Sequence, residues 1–194
     1  MFRPNFVRPI LVAAFGIAVS IPVCAAQAQK SGGAQDDNFD VRSTVGDLHV
    51  GKDATAQKAG LPLYPGARPK HEKDNDPLNF GILTESFGLK LVVAKYESDD
   101  APDKIIAYYR DKLKRYGKVL ECHSLNDDSG FQFDDGQRQH KELKCEGDNT
   151  GPIRELKVGT EDNAHVVAIE PGDNGKGTTF ALVYVYTRGK QGDI

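Results

Sequence analysis

The sequence predicts an α+β domain: an antiparallel β-sheet of about six to seven strands with one main α-helix packed on one face. Three observations carry this. Only one segment, Asp100 to Gly117, combines helical apolar spacing with matched start and stop residues. Strand-like runs flank it, two before and about five after. The later runs are joined by short turns, which favour antiparallel neighbours, and a lone helix on an antiparallel sheet is the α+β arrangement.

The first 28 residues stand apart. MFRPNFVRP carries Arg3 and Arg8 and no acid, Ile10 to Val23 is apolar, and Ala26-x-Ala28 offers a small-residue cleavage site. These are the three parts of a secretory signal peptide. The apolar run falls short of the roughly 20 residues of a spanning helix. Cys24 follows Pro22-Val23, which lacks the small residue a lipoprotein site needs. Cleavage after Ala28 is therefore expected, with no lipid and no transmembrane segment in the mature chain. Loss of two arginines moves the formal charge from −3 to −5. A mildly acidic chain without a basic stripe is a poor match for nucleic acid.

Residues 29–58 read as a flexible tether with a short hairpin. Gln29 to Asp37 is polar and aperiodic. Phe39, Val41, Leu48 and Val50 alternate weakly around a turn placed at Gly46-Asp47. A single domain is expected over 59–188, with a frayed tail at 189–194. It opens with GLPLYPGARP, where Pro62 and Pro65 exclude a helix interior and Pro65-Gly66 makes a turn. Leu61, Leu63 and Tyr64 can pin this extended piece to the core. NFGILTESF and GLKLVVAKYES follow, with a tight hairpin near Gly88. Both faces of the second run are apolar, as in a strand covered on both sides.

In the helix, Asp100 is the expected N-cap, with Pro102 and Asp103 in the first turn. Ile105, Ile106, Tyr109, Leu113 and Tyr116 form the buried stripe. Gly117 ends it after a cluster of bases that suits the negative pole. The remaining strands are KVLECHS, KELKCEG, RELKVGT, HVVAIEP and TTFALVYVYTR.

Cleavage leaves two cysteines, Cys122 and Cys145. An even pair in an oxidising compartment favours a disulfide, formed if the two strands holding them pair antiparallel with the sulfurs opposed. A metal set of Cys122, His123, His140 and Cys145 has neither finger nor knuckle spacing. Neighbours on a strand also point to opposite faces. No metal and no cofactor is expected. The acidic loop 126–135, with Asp127, Asp128, Asp134 and Asp135, lacks the calcium-loop pattern and reads as a solvated turn region.

GDNGKGT (Gly172–Thr178) precedes a strand, so it reads as a hairpin turn and not a phosphate loop. Ser86, Ser98, Ser124 and Ser129 lack a nucleophile-elbow frame. His49, His71, His123, His140 and His165 are scattered. Tyr108, Tyr109 and Tyr116 fit a core with polar tips better than a cleft lining. No catalytic residue stands out.

LPLYPGA (Leu61–Ala67), then KYESDDAPDKIIAYYRDKLKRYGKVLEC (Lys95–Cys122), resembles a pattern in uncharacterised exported bacterial proteins. There an LPxYPGA turn precedes a strand and an acid-Pro-initiated Tyr-Tyr-Arg helix. The resemblance spans Gly60 to Cys122 and implies a periplasmic or secreted location. It carries no activity and no site residues. The expected function is a non-catalytic exported domain that binds an envelope protein or a small ligand. The alternatives are a secreted hydrolase-like enzyme and a calcium-tuned module using the acidic loop.

Overall fold

Hairpin follows hairpin along most of this chain, and the sheet order records it. The computed structural model describes residues 38–70, 77–125, 141–145, 147–172 and 175–189. The strands are β1 (Phe39–Ser43), β2 (Gly46–Gly51), β3 (Arg68–Pro69), β4 (Leu78–Thr84), β5 (Gly88–Ser98), β6 (Leu120–Ser124), β7 (Ile153–Thr160), β8 (Asn163–Pro171) and β9 (Thr178–Arg188). The helix α1 (Pro102–Leu113) lies between β5 and β6, and a 3-10 turn (Lys114–Tyr116) extends it. One sheet runs β1-β2-β4-β5-β9-β8-β7-β6, with the two-residue β3 also on β5, and every pairing is antiparallel.

The antiparallel sheet with one main helix is as expected, but among the described residues it has nine strands rather than about six to seven. The weakly alternating N-terminal hairpin joins the sheet as β1 and β2. Its turn is Thr44-Val45, with Ser43 opposite Gly46, not Gly46-Asp47. The YPGARP segment contributes β3 through Arg68 and Pro69. One expected strand is missing: in KELKCEG only Glu142 bridges to Thr160.

Alternation sorts the long strands into two faces. Val92, Ala94 and Tyr96 of β5, Phe180 and Leu182 of β9, Val167 and Ile169 of β8, and Leu156 and Val158 of β7 share one face and are buried. Ile105, Ile106, Tyr109 and Leu113 of α1 join them in one cluster over β7 and β8. Each buried Val, Leu, Ile or Phe among them stabilises by roughly 1.5–3 kcal/mol before ordering costs. Beside the helix, residues 54–64 cover the middle of the same face through Ala56, Ala59, Leu61 and Tyr64. The Tyr109 hydroxyl binds this segment to the helix. It accepts from the Tyr64 N–H (3.1 Å) and donates to the Pro62 carbonyl (3.2 Å). Burial pushes this phenol's pKa up.

The opposite face is also apolar at its centre, with Val166, Val183 and Val185 buried. Near β6 it holds a buried ion pair, Lys157 Nζ to Glu155 Oε2 at 2.9 Å, and the Ser124 hydroxyl donates to Glu155 at 3.1 Å.

The helix starts one residue later than expected. Ala101 is the N-cap and makes no side-chain cap bond, while Pro102 opens the first turn. Asp100 is drawn away by tertiary partners. Its carboxylate accepts from the Tyr64 hydroxyl (2.8 Å) and pairs with Lys104 (2.6 Å). The stripe is buried up to Leu113. Tyr116 instead lies outside the core, its hydroxyl donating to the Gly60 carbonyl. Gly117 leaves the 3-10 turn at φ 140°, a conformation that favours glycine. No helix among the described residues is long and apolar enough to cross a membrane.

Candidate functional site

On its face of the sheet the helix lies over β7 and β8, with Tyr109 reaching Phe180 of β9. Beyond the covering segment 54–64, the β1, β2 and β4 end of that face holds an open groove of about 500 Å³. Asp40, Arg42, His49, Asn79, Lys90 and Tyr186 all line it. They come from five strands and meet through register. His49 lies opposite Asp40 and Gly81, Gly81 opposite Lys90, and Lys90 opposite Tyr186.

Glycine opens the groove. Gly81 lies mid-strand, where a missing side chain weakens a sheet. A Cβ built there would meet nothing closer than the His49 Cβ at 3.9 Å. The space above Gly81 is therefore groove, not packed core.

A polar chain closes the inner end. His49 Nδ1 lies 2.8 Å from Asp40 Oδ1. The Asn79 amide donates one hydrogen to His49 Nε2 (2.8 Å) and the other to Asp53 Oδ1 (2.9 Å). Those donations leave His49 accepting at Nε2 and donating from Nδ1 to Asp40. Lys58 pairs with the far oxygen of Asp53. Burial alone would raise the Asp53 pKa, but hydrogen bonds from Lys58 and Asn79 outweigh it and hold the carboxyl at about 2. Asp40 and His49 resemble the orienting half of a catalytic triad. The nitrogen that would face a nucleophile in such a triad is taken by Asn79.

Charge on the walls is mixed. The Lys90 ammonium sits 5.4 Å from the Tyr184 ring centroid, within cation–π range. Arg42 lies across from Asp47 in the hairpin and has no ion pair among the described residues. Apolar lining comes from Leu48, Phe80, Ile82, Leu83 and Leu89.

The other sites expected from sequence are distributed elsewhere. Cys122 and Cys145 are joined by a disulfide, with Cα atoms 5.3 Å apart. The strands do not pair as the expected geometry required. Cys122 on β6 faces Glu155 of β7, and Cys145 lies in a segment outside the sheet. The bond thus ties the sheet's edge to a loop. With both sulfurs so engaged, neither is a thiolate ligand. Among the described residues, no three His, Cys, Asp or Glu side chains group as a metal site. The acidic loop with Asp127, Asp128, Asp134 and Asp135 lies outside the described residues, as do His71, Ser129 and His140. Ser98 accepts from the Asp100 N–H, and Ser124 is held by Glu155. Tyr108 and Tyr109 pack edge-on in the aromatic cluster around Tyr64 and Phe180.

His165 is a buried structural histidine. Its ring stacks on Tyr116, with centroids 3.8 Å apart, and leans on Tyr184 at 4.7 Å. Burial, and then the nearby Arg115 charge, lower its pKa to about 4. The ordinary value is 6.5, so folding excludes a proton that the unfolded chain binds below that pH. The stabilising contribution of the neutral ring is complete above pH 6.5, falls as pH drops toward 4, and is lost below it. It amounts to about 3 kcal/mol. Denaturant titrations from pH 7.5 to 4 should show this loss in the native protein and not in His165→Phe, which keeps the stacking. Parallel acid limbs in the two proteins would contradict it.

No protein-family model, curated protein or solved structure matches the chain.

Proposed function

We propose that the protein is an exported, non-catalytic binding domain, and that its groove holds a small molecule with an apolar body and an anionic group. The observation that carries this is the open volume above Gly81, bounded by the Asp40–His49–Asn79 chain and flanked by Arg42 and Lys90. Its size falls within the roughly 300–1,000 Å³ common for small-ligand pockets. The non-catalytic reading is supported by His49, whose two nitrogens are both used within the protein. Export rests on the basic, apolar and small-residue order of residues 1–28, and a disulfide suits an oxidising compartment.

Gly81→Val tests the groove without threatening the fold. The position has room for the side chain and lies in a strand that a β-branched residue favours. Anilinonaphthalene sulfonate, which joins apolar rings to one sulfonate, is the probe. The native protein should bind it saturably at one site. Gly81→Val should weaken that binding at least roughly tenfold, the equivalent of about 1.4 kcal/mol, with an unchanged or higher Tm. Equal affinities in the two proteins would refute the assignment.

A further inference from the structure

We propose that two copies of this chain associate through β1, pairing these strands antiparallel about a two-fold axis at Val41 to form one continuous sheet. The inference concerns the end of the sheet and does not depend on the groove's ligand.

The two ends of the sheet differ. At the β6 end the chain occupies its own edge: the His123 N–H donates to the Asn149 side chain (2.7 Å), and the Cys122–Cys145 disulfide holds the loop there. At the β1 end no described residue pairs with the outer side. Phe39 and Val41 remain 58% and 39% exposed on one face of that strand.

Backbone parity and side-chain charge choose the same register. Only two residues separate Ser43 from Gly46, so that pair must exchange its hydrogen bonds across the hairpin. Counting back, Val41 and Phe39 also bond inward to β2, and the N–H and C=O groups of Asp40 and Arg42 face outward. A two-fold axis at Val41 sets Asp40 of each copy against Arg42 of the other. Their outward groups then meet as hydrogen-bonded pairs. The opposed side chains carry opposite charges, a favourable cross-strand arrangement. Asp40 uses Oδ1 for His49, which leaves Oδ2 for the incoming guanidinium.

The competing registers fail on one count or the other. An axis at Asp40 or Arg42 opposes like charges. A half-step shift sets outward-facing groups against inward-facing ones. On the other face, Val41 meets Val41 of the partner subunit and Phe39 meets Ser43 of the partner subunit, so the exposed apolar strip continues across the axis. Asp40 and Arg42 also line the groove. The partner subunit's Arg42 would therefore extend the wall of each groove at its outer end.

A five-residue strand pair buries less than the roughly 1,200 Å² of a standard stable interface, so the association should be concentration-dependent. Sedimentation velocity on the purified protein should show a monomer–dimer equilibrium. Asp40→Arg alone and Arg42→Asp alone each put like charges opposite one another and should weaken self-association roughly tenfold or more. Mixed in equal amounts, they should form a heterodimer, since each then supplies the charge the other lacks. Directly opposed α-carbons at a non-hydrogen-bonded pair lie about 4.5 Å apart, which a disulfide accepts. Val41→Cys should therefore crosslink across the axis under mild oxidation, and the exposed Val45→Cys should not. A strictly monomeric native protein, failure of the mixed variants to pair, or equal crosslinking at Val41→Cys and Val45→Cys would each overturn the proposal. So would a monomer whose β1 amides resist exchange at every concentration, because that edge would then be covered from within its own chain.

Discussion

Leu113→Asp should leave no stably folded protein. Leu113 has no exposed surface and sits where α1 meets β7 and β8. Truncating such a leucine costs about 2–5 kcal/mol in lost transfer energy and cavity. A carboxylate at the same point must stay charged in an apolar core or bind a proton, which adds several kcal/mol more. Domains of this kind have about 5–15 kcal/mol of stability in all. Far-UV circular dichroism and a thermal melt would show the loss of the cooperative transition. Leu113→Met, of similar volume, should cost less than about 1.5 kcal/mol and serve as the control. A soluble Leu113→Asp protein melting at the native temperature would mean that the helix does not pack on the sheet through this stripe.

Removing the disulfide should have the next largest effect. Cys122 and Cys145 are 23 positions apart, and closing a loop of that length is worth about 3 kcal/mol in the chain-entropy model. The location adds to the argument. Among the described residues β6 is the last strand of the sheet and pairs with β7 alone, and its outer side is met by the disulfide-tied segment and the Asn149 side chain. The Cys122→Ala/Cys145→Ser protein should melt about 6–12 °C lower, at roughly 2–4 °C per kcal/mol for a domain of this size. Hydrogen exchange should be faster in β6 than in the central β5 and β9. Unchanged melting after complete reduction would show that the bond contributes nothing to the folded state.

These two features were also the most legible in the sequence. The helix could be read because several local signals agree: apolar residues at three- and four-residue spacing, an acid-Pro start and a glycine stop. Its first residue could not, because the fate of Asp100 depends on Tyr64, 36 positions away. The cysteine pair could be read from compartment and count. Its setting could not, because KELKCEG alternates like a strand yet makes only one bridge. Sequence periodicity reports which residues suit a ladder, and the bond at Cys145 holds the segment without one.

The N-terminal hairpin is faint in the sequence for a related reason. Phe39 and Val41 stay exposed in the fold, so their alternation is faint, and the pairing of β2 with β4 supplies what the local pattern lacks. The groove left no sequence motif. Asp40, His49, Asn79 and Lys90 are spread along the chain and meet only through strand register. Its central feature is the absence of a side chain at Gly81. A mid-strand glycine between apolar neighbours was the one available hint, since such positions often mark close approach by another molecule.

Amide chemical shifts during titration with anilinonaphthalene sulfonate test most directly whether the groove is a binding site. Saturable shifts should centre on His49, Asn79, Gly81 and Lys90, leave α1 unmoved, and vanish in Gly81→Val. Shifts that centre on α1 or on the opposite face, or that persist in Gly81→Val, would contradict it.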